Sequence, residues 1–140
     1  DVYKRQIDYL TISTLGNSAD FGDLHASKTP NQGVMSNAIR GLAFGGSAPG
    51  PVAGNANTIE FITIASLGNT TDFGDSTAAG GDRSGCSSPT RAICNLGANA
   101  SDSAVDFIQI MTTGNAVDFG DLHTGNYECG ALSNGHGGLG

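Results

Sequence analysis

Nine oxygen-bearing side chains fall at three equivalent places in this chain: Asn17, Asp20 and Asp23, then Asn69, Asp72 and Asp75, then Asn115, Asp118 and Asp121. Within each trio the residues stand three apart, so their amide and carboxylate oxygens could converge on a hard cation such as Ca²⁺, which is bound by oxygen alone. The competing reading is local. Asn and Asp favour turns because their short side chains hydrogen-bond the nearby backbone, and the denser Asp-x-Asp-x-Asp-Gly loop of known calcium sites is missing. The turn reading is therefore preferred, and no cofactor is expected.

Other reactive groups lead to the same place. His25 and His123 follow Asp-Leu at equivalent positions while Thr77 stands between them; a histidine duplicated in this way, with no third ligand in view, points to inheritance by repetition rather than to a metal. His136 lies in a Gly-rich end and is expected in solvent. Cys86, Cys94 and Cys129 are odd in number and form no Cys-x-x-Cys pair, so free thiols are expected, a Cys86–Cys94 bridge between neighbouring strands being the alternative. Asp72-Phe73-Gly74 and its copies spell a protein-kinase tripeptide without the accompanying Gly-rich loop, lysine or catalytic loop. The Ser-rich stretch 84–88 lacks a nucleophile elbow and a base. Asn69 and Asn99 begin glycosylation sequons, a type of triplet that chance often supplies. The chain is expected to bind or build rather than to catalyse.

What positions these residues is a repeat. Ile7–Leu24 (IDYLTISTLGNSADFGDL), Ile59–Ser76 (IEFITIASLGNTTDFGDS) and Val105–Leu122 (VDFIQIMTTGNAVDFGDL) align without a gap, their starts 52 and 46 residues apart. Such a period belongs to units that stack on one another. A weaker block follows each: Met35-Ser36 through Gly46, Cys86-Ser87 through Cys94, and a third that opens at Leu132-Ser133. In the strong block, apolar and β-branched residues from Ile7 to Ile12 predict a strand. Gly16-Asn17, Gly68-Asn69 and Gly114-Asn115 predict hairpin turns. The returning segment, with Phe21, Phe73 or Phe119 set among acids, predicts a short outer strand. Gly33-Val34-Met35 and Gly41-Leu42-Ala43-Phe44 predict two more, making four antiparallel strands per unit, the size of a propeller blade. The variable connector Ser47–Asn57 is the weak candidate for a contact surface, because loops on a rigid scaffold often carry binding.

Composition agrees with an all-β chain. Of 140 residues 22 are Gly, and six Phe and three Tyr accompany a charged fraction of only 14%; glycine weakens helices and supplies turns. The net charge of −7 repels phosphate backbones and anionic membranes, so no nucleic-acid partner is expected. No apolar run is long enough for a membrane span. Residues 1–6 lack a Met and read as a non-native-looking extension, with the repeats filling 7–140.

The order of features resembles kelch repeats: an apolar strand closed by Gly45-Gly46, then a strand carrying an aromatic (Phe61), then an outer strand with a second (Phe73, where kelch repeats usually carry Trp), then a basic residue (Arg83 or Arg91). Residues Phe21, Phe73, Phe119, Gly45 and Gly46 take structural roles in that reading. The Gly-Asn-x-x-Asp-Phe-Gly-Asp block also resembles repeats of structural and tail-fibre-like proteins of bacterial viruses. These resemblances imply a kelch-like β-propeller, partial or closed by oligomerisation, with a β-solenoid as the alternative. They imply a binding or structural module of an extracellular or virion surface, an adhesin meeting a cell-surface glycan or protein, or a self-assembling fibre subunit; the expected partners are further copies or neighbouring repeats of a longer chain. An enzyme of the galactose-oxidase type shares the kelch fold, yet its copper site needs Tyr and His ligands and a Tyr–Cys crosslink, and Tyr3, Tyr9 and Tyr127 form no such constellation.

Overall fold

The computed structural model describes residues 4–28, 32–48, 54–97, 102–126 and 129–134. They form twelve strands and no helix: β1 (Lys4–Tyr9), β2 (Ala19–Lys28), β3 (Gly33–Ser36), β4 (Arg40–Phe44), β5 (Ser47–Ala48), β6 (Gly54–Asn55), β7 (Thr58–Thr63), β8 (Thr71–Asp75), β9 (Gly85–Ser87), β10 (Arg91–Asn95), β11 (Ala104–Gln109) and β12 (Val117–Asp121). No helix among these residues is long and apolar enough to cross a membrane. Lys4-Arg5-Gln6, read from the sequence as an extension, lie within β1, where Gln6 pairs with Asp23.

All pairing is antiparallel. β3-β4-β7-β8 make one four-stranded meander and β9-β10-β11-β12 another, while β1-β2 and β5-β6 are two-stranded. Each four-stranded sheet is thus one weak block followed by one strong block, as the repeat predicts, and β1-β2 is a strong block alone. The register confirms the equivalence of the copies. Phe44 faces Ile59 where Asn95 faces Val105, so Gly45-Gly46 corresponds to Leu96-Gly97. The change in period lies mainly in the connection after this point, which spans 45–57 with its β5-β6 ribbon in one copy and only 96–103 in the next.

β7 and β11 do not alternate cleanly, because both their faces are covered: Ile59 and Glu60, and Val105 and Asp106, are buried in succession. The edge strand β3 does alternate, with Met35 buried and Val34 68% exposed. The core lies where the two large sheets face each other, with Met35, Leu42, Phe44, Ile59, Phe73, Cys94, Ile108 and Ile110 in contact. Burying one such side chain is worth about 1.5–3 kcal/mol, and Phe44, Ile59 and Ile110 are wholly inaccessible.

Two expectations need correction. The first strand stops at Tyr9 rather than running to Ile12. In the other copies the corresponding strand is held further by a neighbour, Arg40 opposite Thr63 and Arg91 opposite Gln109, and β1 has no such neighbour among the described residues. The chain also does not reverse at Gly-Asn. It reverses earlier, at turns closed by Thr14 N–H to the Thr11 carbonyl, Ser66 to Thr63 and Thr112 to Gln109, which leaves Gly-Asn free for another task.

Candidate functional site

Every strong block contains the same irregularity. Ile59 pairs with Gly74 and Glu60 with Asp72, so Phe73 is an extra residue with no partner across the ladder; Phe21 and Phe119 are bulged in the same way. The glycine after each is at positive φ: +151° at Gly22, +144° at Gly74 and +136° at Gly120. A bulge re-aims the side chains around it. Here it turns the phenylalanine edge-on to the aromatic of the neighbouring strand, with ring centroids 6.1 Å apart for Tyr9–Phe21 and 6.0 Å for both Phe61–Phe73 and Phe107–Phe119.

The bulge leaves outward-facing backbone groups, and Gly-Asn from the next copy meets them. Gly68 N–H donates to the Phe21 carbonyl and Thr70 N–H to the Asp23 carbonyl, each at 2.8 Å. Between them, Asp23 N–H donates to Asn69 Oδ1 at 3.0 Å. The loop runs parallel to β2, and the asparagine amide stands in for a main-chain carbonyl in this short ladder. One copy further on the pattern recurs, with Gly114 N–H to Phe73, Ala116 N–H to Asp75, and Asp75 N–H to Asn115 Oδ1 at 3.0 Å. Approach is close enough to require glycine beneath the loop. A Cβ on Gly22 would lie 2.2 Å from the Gly68 oxygen, and one on Gly74 2.4 Å from the Gly114 oxygen.

A second contact joins each pair of copies through an acid at one position of the strong block. Glu60 Oε2 accepts from His25 N–H (2.9 Å) and from the Thr70 hydroxyl (2.5 Å), while Oε1 accepts from Lys28 Nζ at 2.6 Å, both charged side chains being 3% exposed. Burial alone would raise the Glu60 carboxyl, but the bonds from Lys28, Thr70 and His25, with the lysine's charge, outweigh it and hold the group below its ordinary value. In the next copy Asp106 accepts from Thr77 N–H (2.8 Å) and its hydroxyl (2.6 Å). The third contact is a serine relay at the edge strands: the Ser87 hydroxyl donates to the Ser36 carbonyl at 2.6 Å, and the Ser133 hydroxyl to the Ser87 carbonyl. Arg40 adds a bond from Nη1 to the Ile110 carbonyl at 2.8 Å.

Of the nine positions singled out from sequence, Asn69 and Asn115 reach a junction through their side chains and Asp23 and Asp75 through their backbone. Asn69 and Asn115 are bound to the preceding copy, Asp118 Oδ1 accepts from Gly120 N–H (3.0 Å), and Asp121 accepts from the Ser103 hydroxyl (2.9 Å). Asp20 and Asp72 are exposed, and Asp23 forms an exposed 3.8 Å pair with Arg5. No group of three or more His, Cys, Asp or Glu able to hold a metal is found among the described residues. His25 contributes its backbone N–H rather than its ring. Gly45, at φ +64°, lies against Arg83, and Gly46, at φ +96°, against Gln32; Arg83 is buried and donates to the carbonyls of Gly80 (3.1 Å) and Ala78 (2.6 Å). Arg91 instead stacks on Phe107, as Arg40 does on Phe61. Cys86 pairs with Ile93 and Cys94 with Gly85, so the two thiols project from opposite faces of the sheet and do not form the bridge that sequence left open. Burial pushes the Cys94 thiol up to about 12, where it is unreactive. Asn99, Tyr3, Tyr127, His136 and residues 49–53 of the connector 47–57 lie outside the described residues.

Sequence reasoning missed Lys28, Glu60, Asp106 and the serines. A signal existed for all but Lys28: Asp8, Glu60 and Asp106 are acids at one repeat position, and Ser36, Ser87 and Ser133 open each weak block. Replacing Asn69 or Asn115 by Ala is expected to cost about 0.5–1 kcal/mol each, the net worth of a solvent-accessible hydrogen bond whose N–H loses its acceptor, whereas Asn17→Ala is neutral in the isolated chain; chemical denaturation of the three variants checks this. Comparison with known protein families found no matching model, and comparison with curated proteins found no match.

Proposed function

We propose that the chain is a non-enzymatic structural repeat module, built of kelch-like blades that stack copy on copy. The observation that carries this reading is the use to which the most strongly repeated residues are put. Gly-Asn and the bulged Phe-Gly-Asp bond to the adjoining copy twice in succession with the same geometry, and the strand acid accepts a backbone N–H from the preceding copy both times. Four-stranded antiparallel meanders of this size, coupled through neighbouring faces, support the blade arrangement. A solenoid coil would instead lay successive strands of one copy against those of the next in continuous sheets, whereas here each copy keeps its own sheet. A surface or fibre role accords with this, since stacked repeats supply length and rigidity.

Modules coupled by nearest-neighbour junctions gain stability with each added copy. Inserting one further 46-residue unit, a duplicate of 77–122, should raise the unfolding midpoint in urea and steepen the transition. An added copy that unfolds separately, with no gain for the rest, would overturn the reading.

A further inference from the structure

The triplet Asn69-Thr70-Thr71 is a sequon that the first junction uses only in part. Asn69 is exposed and spends its Oδ1 on Asp23 N–H at 3.0 Å, while its Nδ2 has no partner among the described residues. Gly68 and Thr70 both donate their N–H groups to β2, so the backbone here is extended and successive side chains point to opposite faces. Thr70 is the inward one, its hydroxyl donating to the buried Glu60 carboxylate. Asn69 and Thr71 therefore share the solvent face. Thr71, the first residue of β8, is exposed, and its hydroxyl has no partner among the described residues. The third copy supplies the comparison: Asn115 is held by Asp75 N–H at 3.0 Å in the same way, Ala116 is partly buried, and Val117, 55% exposed, stands where Thr71 does. What that copy lacks is the hydroxyl.

We propose that Asn69 is an acceptor site for an N-linked oligosaccharide, transferred from a polyprenyl-pyrophosphate donor by an enzyme that reads Asn-x-Thr. In the transfer Nδ2 attacks C1 of the first sugar. The N–C1 bond forms as the C1–O bond to pyrophosphate breaks, the amide nitrogen gives up one proton, and polyprenyl pyrophosphate leaves. The substituted amide keeps its carbonyl oxygen, so the bond from Asp23 N–H survives and the junction between copies one and two stays closed. The glycan projects from an exposed loop, the kind of place where a bulky, solubilising group is tolerated. This site goes beyond the module reading and does not depend on it.

Translation of the 140-residue chain behind a secretion leader, with microsomal membranes present, tests it in an Asn99→Gln background that silences the second sequon. The expected result is one step up in mass that an endoglycosidase removes and that Thr71→Ala abolishes. Val117→Thr should add a second step, because it completes the motif at Asn115 in the same setting. An unshifted chain, or a step that Thr71→Ala leaves in place, overturns the assignment. A Val117→Thr chain with no second step overturns the claim that this setting admits the glycan. The folded state is read on protein secreted from animal cells, where the glycosylated form should unfold at the same urea midpoint as the chain made without glycan. A midpoint lowered to that of Asn69→Ala would show that Nδ2 is not free, and overturns the site as well.

Discussion

Glu60→Ala is expected to destabilise the protein by about 3–5 kcal/mol, the cost of leaving one member of a buried ion pair alone. The lysine is the reason. Lys28 and Glu60 are each 3% exposed at the side chain, so removing the carboxylate strands an ammonium away from water and takes the acceptor from His25 N–H and the Thr70 hydroxyl. A domain of this size has on the order of 5–15 kcal/mol in all, so the variant unfolds at far lower urea than the parent. The double variant Lys28→Met, Glu60→Met removes both charges and should recover most of the loss, which separates a desolvated charge from a need for the pair itself.

The same group sets an acid limit. Its folded value lies below the ordinary 4.5, so the carboxylate binds its proton more readily in the unfolded chain. The stability it adds is fully present above the ordinary value and is lost as pH falls through the folded one. Urea midpoints measured from pH 7 down to pH 3 should therefore fall more steeply in the parent than in Glu60→Gln. Parallel curves would refute the assignment.

Gly74→Val should cost several kcal/mol, and Gly120→Val much less. Both glycines are at positive φ, +144° and +136°, so both substitutions incur backbone strain of about 1–3 kcal/mol. Only at Gly74 does the new Cβ also enter a neighbour, coming 2.4 Å from the Gly114 oxygen, and overpacking adds about 1–3 kcal/mol more. The difference between the two variants, taken at a concentration where the parent is monomeric, isolates the docking of the 110–116 loop. Circular dichroism with chemical denaturation reads it directly, and equal losses at the two sites would show that the loop contributes nothing.

The elements themselves were written in the chain. β-branched and aromatic runs bounded by glycine name the strands, and an eighteen-residue block that recurs with its aromatics and acids in place names the unit, because local propensity and repetition need no knowledge of the fold. Four strands per copy and the correspondence of Gly45-Gly46 with Leu96-Gly97 follow from that pattern and are seen in the register. The purpose of Gly-Asn was not legible. As a dipeptide it is a turn signal, and its partner, the bulged backbone after Phe21 or Phe73, lies 40 or 46 residues away and depends on a register slip that no single-sequence pattern encodes. Lys28 and Glu60 were hidden for a similar reason: each looks like an ordinary surface charge until the stacking of one copy on another closes both off from water. Propensity acts between near neighbours and was set by the sequence alone; which polar groups end up facing each other across a junction was decided only when the copies packed.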